Sequence, residues 1–245
     1  MNYSTFPWLE ERTILLSVSG SYAYGTNIDT SDRDYKGICI PPIDYYFGLK
    51  GFNEYNSSGG KNFRNTKDDV DITISHLVKF AQDAMKGVPN NIELLFMRDC
   101  DYVKLTDAGR KLIGARQLFL SKLIYPKFAG YARSQMEKLK KGYTSESEYD
   151  FKSFMHTIRL LTSAIEILET GDFRTYRPNR KELLDCRLGK YTFSEAVKLI
   201  ELYDNQLKEV NATSKLRDTP DEEAINHLLI EIHEDVFMRD KNFNQ

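Results

Sequence analysis

The sequence predicts an α+β fold: a small mixed β-sheet domain flanked by helices over residues 1–120, then an all-helical domain over 121–245. Three observations predict it. Short apolar or alternating runs bounded by Gly and Pro occupy the first 75 residues, an amphipathic helix follows the last of them directly, and beyond residue 120 helical periodicity takes over while strand signals largely disappear.

Thr13 to Val18 is a short apolar run stopped by Gly20, the pattern of a buried strand entering a tight turn. Asp34 to Ile40 reads as a second strand closed by Pro41 and Pro42. From Asp69 to Ile74 the alternation sets Val70, Ile72 and Ile74 on one face and Asp69, Asp71 and Thr73 on the other. Between these strands, Asn53 to Asn65 is rich in Gly, Ser, Asn and Lys and is expected to be a mobile loop.

Ser75 is the expected N-cap of a helix carrying Leu77, Phe80, Ala81, Ala84 and Met85, ended by Gly87 and Pro89. A short helix is expected from Ile92 to Met97, and Asp101 to Leu120 has no dominant pattern. Phe128, Ala132, Met136 and Leu139 then mark one amphipathic helix, and Phe151 through Leu168 marks a second that ends near Gly171. Ala196 to Val210 marks a third; the last opens with Thr219, Pro220, Asp221 and Glu222, read as a capping box.

Composition narrows the function classes. With 41% apolar and 29% charged residues the chain is an ordinary globular protein, long enough for one large domain or two small ones. No apolar run approaches the roughly 20 residues of a bilayer span, and no signal-peptide pattern opens the chain, so a cytoplasmic protein is expected. Cys39, Cys100 and Cys186 are widely spaced, which argues against a disulfide framework or a CxxC metal site. A net charge of -2 excludes a protein that coats nucleic acid nonspecifically. The charge is nevertheless uneven: residues 121–142 hold Lys122, Lys127, Arg133, Lys138, Lys140 and Lys141 against Glu137, whereas residues 218–240 hold eight acids against Arg239.

The chemistry concentrates between Ser19 and Gly37. Gly20 lets the backbone approach a triphosphate, and Ser21 adds a hydroxyl and an N–H. Carboxylates at i and i+2 of a strand share a face, so Asp32 and Asp34 can hold two divalent cations, with Asp71 as the third ligand and Asp69 as its alternative. Hard oxygen ligands favour Mg²⁺, with Mn²⁺ as a substitute. The competing reading is a polar turn shaped by Asp and Ser.

Gly20-Ser21, then Ser31-Asp32-Arg33-Asp34, with Asp71 in an apolar strand, resembles the signature of the DNA polymerase β nucleotidyltransferase superfamily. Gly20-Ser21-Tyr22-Ala23-Tyr24-Gly25-Thr26 with Ser31-Asp32-Arg33-Asp34-Tyr35-Lys36-Gly37 is similar to its RNA-repair-pathway branch in bacteria and phages. Further similar segments are Asp71 to Ile74, Pro89 to Leu95, His156 to Leu161 and Ile167 to Gly171; Val88 departs from the branch's usual Asn.

The resemblance implies a metal-dependent transfer of a nucleoside monophosphate from an NTP, with ATP the expected one, to an acceptor hydroxyl. The catalytic and metal-binding residues would be Asp32, Asp34 and Asp71, and the nucleotide-binding residues Gly20, Ser21, Ser31, Lys36, His156 and Arg159. The helical domain would close over the active site. The implied acceptor is RNA, including a tRNA end. The alternatives are a protein hydroxyl, in an AMPylation-type modification of a toxin, a small molecule, or a catalytically inactive module that binds nucleotide or RNA.

His156 and Arg159 are three apart on the side of a helix opposite its apolar stripe, where they either meet a substrate or form a solvated or internally paired face. The same two readings apply to Lys127, Tyr131 and Lys138, while Glu93 is read as structural or supporting. Other chemistries fit poorly: Ser21 lacks the flanking glycines of a nucleophile elbow, and Gly59-Gly60-Lys61 lacks the P-loop spacing. His227 and His233, six apart, do not share a helix face as a metal pair.

Overall fold

A computed structural model describes residues 5–57 and 70–243. Its elements are α1 (Leu9–Arg12), β1 (Thr13–Ser19), α2 (Gly20–Tyr24), β2 (Arg33–Cys39), α3 (Asp44–Phe47), β3 (Glu54–Asn56), β4 (Val70–His76), α4 (Leu77–Met85), α5 (Pro89–Leu95), β5 (Tyr102–Leu105), α6 (Asp107–Gly114), α7 (Ile124–Lys141), α8 (Phe151–Thr170), α9 (Arg180–Arg187), α10 (Phe193–Thr213) and α11 (Glu222–Phe243). The α+β class is as expected. Among the described residues no helix is long and apolar enough to cross a membrane.

The chain forms two compact units that interleave in sequence. One comprises Met1–Asp83, Leu94–Leu118 and Asp221–Gln245, and the other Ala84–Glu93 and Phe119–Pro220. A single break near residue 120 does not describe this arrangement, because α11 belongs with the sheet, where it contacts α6, and most of α5 belongs with the helical unit.

In the first unit the sheet order is β3-β4-β2-β1-β5, with β2 and β4 parallel and the other pairs antiparallel. Leu16, Cys39, Phe52, Ile72 and Ile74 pack together with Leu9 on one face, against Phe6, Trp8, Tyr35, Tyr45 and Tyr55. Because side chains alternate along a strand, Asp34, Asp71 and Ser19 belong to the opposite face.

Local expectations needed correction where a neighbouring strand or side chain competes. Part of the expected mobile loop, Glu54–Asn56, is a strand because β4 offers it an edge, while residues 58–65 and Asp69 lie outside the described residues. Ser75 is not the helix cap, since β4 runs on through His76; the His76 Nδ1 accepts from the Val78 N–H at 3.0 Å. Asp221, not Thr219, caps α11, its carboxylate accepting from the Ala224 N–H at 3.1 Å. The short helix expected at Ile92–Met97 begins at Pro89, which suits the first helical turn because it needs no donor there.

The helical unit is built around α8, which packs against α7, α9 and α10. Its middle is buried on nearly every side. Asp150 caps its start and Gly171, at φ 65°, ends it. At α10, Thr192 and Glu195 close a reciprocal capping box.

Candidate active site

One end of the central strands gathers the carboxylates. β1 ends at Ser19 where β2 and β4 begin, so Ser19 stands opposite Asp34 in the antiparallel register and Asp34 stands beside Asp71 in the parallel one. Adjacent strands are about 4.8 Å apart, which puts the two carboxylates within reach of one cation. Asp32 is two residues upstream of Asp34, just before β2 starts, and is half-buried like Asp34 and Asp71.

Gly20 is fixed by geometry on both sides. It has φ 64°, a left-handed conformation that costs an L side chain, and a Cβ there would lie 2.4 Å from the Asp34 Oδ2. The turn backbone is thus packed directly on the carboxylate. Ser21 follows in α2, where its carbonyl accepts from the Thr26 N–H at 2.9 Å. Ser31 is buried and its hydroxyl accepts from the Ile28 N–H at 2.9 Å, so it shapes the loop leading to Asp32. Lys36 pairs in register with Ser17, two positions along the face that carries Asp34. Arg33, exposed, has its guanidinium 5.4 Å from the Tyr22 ring centroid, and hydrogen bonds to Tyr22 and Tyr35 raise its pKa.

Sequence reasoning missed Ser19. It is 3% exposed, and its Oγ is buried with no hydrogen-bond partner among the described residues. A buried hydroxyl left unpaired costs roughly 1–3 kcal/mol, and this one stands across from Asp34 in the β1–β2 register. A serine ending an apolar strand gives no signal of this in the sequence.

The donor set suits a hard divalent cation. Among the described residues no three acidic, histidine or cysteine side chains converge into a ready-made metal cage. Mg²⁺ does not require one, because it is usually held by one or two carboxylates and completes its shell with water and substrate phosphate. Asp34 and Asp71, with Ser19 across from Asp34, fit that mode.

His156 and Arg159 lie in the helical unit. Arg159 does not stand on a solvated face: it is 5% exposed and its guanidinium donates to Glu93, itself 1% exposed, in a buried ion pair. The Glu93 carbonyl also accepts from the Thr175 hydroxyl at 2.8 Å. His156 is half-buried; burial first, then the positive charges of Arg159, Lys152, Arg187 and Lys138, push its pKa down to about 3. It is therefore neutral at pH 7. Lys127, Tyr131 and Lys138 are exposed.

Comparison with known proteins follows the same residues. A family profile described as RNA repair pathway DNA polymerase beta family matches residues 6–231. An uncharacterized 38.9 kDa protein of Enterobacteria phage T4, from the nrdC-mobD intergenic region, is 29% identical over 130 residues, or 52% of this chain and 38% of that protein. A nucleotidyltransferase-like protein from Exiguobacterium sibiricum is 11% identical with a TM-score of 0.28, the match covering 86% of this chain and 71% of that one. The family match alone places the chain; so slight a structural likeness adds nothing to it.

Proposed function

Since the chain belongs to the RNA repair pathway DNA polymerase beta family, a family of nucleotidyltransferases, we propose that it transfers a nucleoside monophosphate from an NTP to the hydroxyl of an RNA end, releasing pyrophosphate. The observation that carries this reading is the register of Asp34 beside Asp71, with the Gly20 backbone packed on the Asp34 carboxylate.

Asp34 and Asp71 are the ligands the chain supplies to Mg²⁺, and Asp32 completes the set. Bound there, the cations supply charge neutralisation for the triphosphate and lower the pKa of the attacking hydroxyl. The turn at Gly20 and Ser21 brings backbone N–H groups to the phosphates without a side chain in the way. Ser19, with its unpaired buried hydroxyl, donates to the same group of oxygens. Asp71 accepts the proton of the acceptor hydroxyl as the oxygen attacks the α-phosphate, and the bond to pyrophosphate breaks. ATP is the expected donor, and Mn²⁺ would replace Mg²⁺.

The test is an incubation with each α-labelled NTP in turn, Mg²⁺, and either total RNA or a protein extract freed of RNA. Label entering RNA, lost on adding EDTA, supports the reading. Label entering only protein would overturn the RNA acceptor, and no transfer under any condition would overturn the activity.

A further inference from the structure

The helical unit concentrates positive charge where three helices meet. α7 carries Lys127, Arg133, Lys138, Lys140 and Lys141 against Glu137 alone. Its end lies against the start of α8: the Ser153 hydroxyl oxygen is 3.5 Å from Gln135 Oε1, and a Cβ on Gly142 would meet the Asp150 Cβ at 3.1 Å. The end of α9 reaches the same place, where a Cβ on Gly189 would meet the Phe151 ring at 2.6 Å. Lys138, Lys152 and Arg187, one from each helix, lie near enough to His156 for their charges to act on it.

Several acids of the helical unit are already engaged. Asp150 accepts from the Ser153 N–H and hydroxyl, Asp185 pairs with Lys190 at 2.6 Å, and Glu93 holds Arg159. Lys138 and Lys152 are exposed and make no ion pair among the described residues. Along α7, Lys127 and Tyr131 continue the stripe at helical spacing from Lys138, and Tyr131 leaves 44% of its surface exposed. An exposed aromatic between lysines is the pattern of a single-strand platform, with cations on the backbone and a ring for a base.

We propose that this face of α7, α8 and α9 binds single-stranded RNA, with Lys138, Lys152 and Arg187 on backbone phosphates and Tyr131 stacked on a base. The extent of the stripe selects RNA over a nucleotide: Lys127 to Lys138 spans eleven residues, about 16 Å of helix, more than one triphosphate covers. Arg159 takes no part, because Glu93 neutralises it in the interior. The identity of the partner rests on the RNA acceptor proposed above.

The test is fluorescence anisotropy of a labelled single-stranded RNA titrated at several KCl concentrations, with thermal melts confirming folded proteins. K138Q/K152Q/R187Q should flatten the log K against log salt slope by about 2, at roughly 0.7 per phosphate contact. Tyr131→Ala should weaken binding about tenfold and leave the slope unchanged. ATP affinity should be unaltered in both, and Asp34→Asn should keep the wild-type slope. An unchanged slope in the folded triple variant would overturn the proposal, as would a loss confined to ATP affinity. Absence of transfer alongside a flattened slope would support the binding face and overturn only the transfer activity.

Discussion

Replacing Gly20 by Ala separates what the turn does for the fold from what it does for the site. The added methyl meets two obstacles: a φ of 64° and the Asp34 Oδ2 at 2.4 Å. The first costs about 1–2 kcal/mol, which in a protein of this size lowers Tm by about 2–8 °C. The second is relieved only if the carboxylate retreats by about 1 Å, from 2.4 Å toward an ordinary contact of 3.4 Å. A misplacement of that size at a reacting centre lowers turnover about 100-fold. The expected variant is a folded protein with a modest Tm loss and a collapsed kcat, measured by calorimetric melting and by label transfer from an α-labelled NTP. As a control, Gly130, helical and with open space where a Cβ would lie, should gain about 0.5–1 kcal/mol on substitution by Ala and keep its activity. Wild-type turnover in Gly20→Ala would refute the idea that the turn positions Asp34.

Ser19→Ala should leave urea stability unchanged or slightly raised, since the hydroxyl it removes is already unpaired, while transfer falls at least tenfold; unchanged transfer would remove Ser19 from the site. Breaking the buried pair by Glu93→Ala or Arg159→Ala should each cost about 3–5 kcal/mol in urea melts, with the double variant less than additive; additive losses would show the pair is not coupled. Acid should destabilise the protein between about pH 6.5 and 3. His76, with its pKa pushed to about 4, and His156, at about 3, are both depressed by burial first, and His233 is lowered for the same reason. A depressed histidine binds its proton more readily when unfolded, so stability is full above the unfolded pKa and is lost as pH falls, at up to about 1.4 kcal/mol per pH unit for each residue. His156→Gln should make urea midpoints less sensitive to pH over that window; an unchanged slope would refute the assignment.

The legible parts of this fold were those whose own residues carry the pattern. β1, β2 and β4 announced themselves through apolar runs and alternation, and α8 through a long apolar stripe and Gly171. β3 and β5 did not, because Glu54–Asn56 is polar and β5 leaves Val103 exposed; each is a strand only because a neighbour offers an edge. α9 was hidden by its composition, with Leu183 and Cys186 as its buried residues among many charges. For the site, the sequence supplied Asp34, Asp71 and Gly20 as chemical types on strands and a turn. It could not supply the register that sets Asp34 beside Asp71 or the contact that seats Gly20 on a carboxylate. For Arg159 helical periodicity left a substrate contact and an internal pair both open, and the structure shows the pair, with a glutamate 66 positions earlier in the chain.

The most direct measurement of the central claim is transfer of label from an α-labelled NTP to RNA by the wild-type protein and by Asp34→Asn, with circular dichroism on both. Asparagine keeps the size of the side chain and removes the charge beside Asp71. The account predicts Mg²⁺-dependent labelling by the wild type and, at a centre where the metal carries the chemistry, a loss on the order of 100-fold or more in a variant with an unchanged spectrum. Equal labelling by the folded variant, or labelling by the wild type that persists in EDTA, would contradict it.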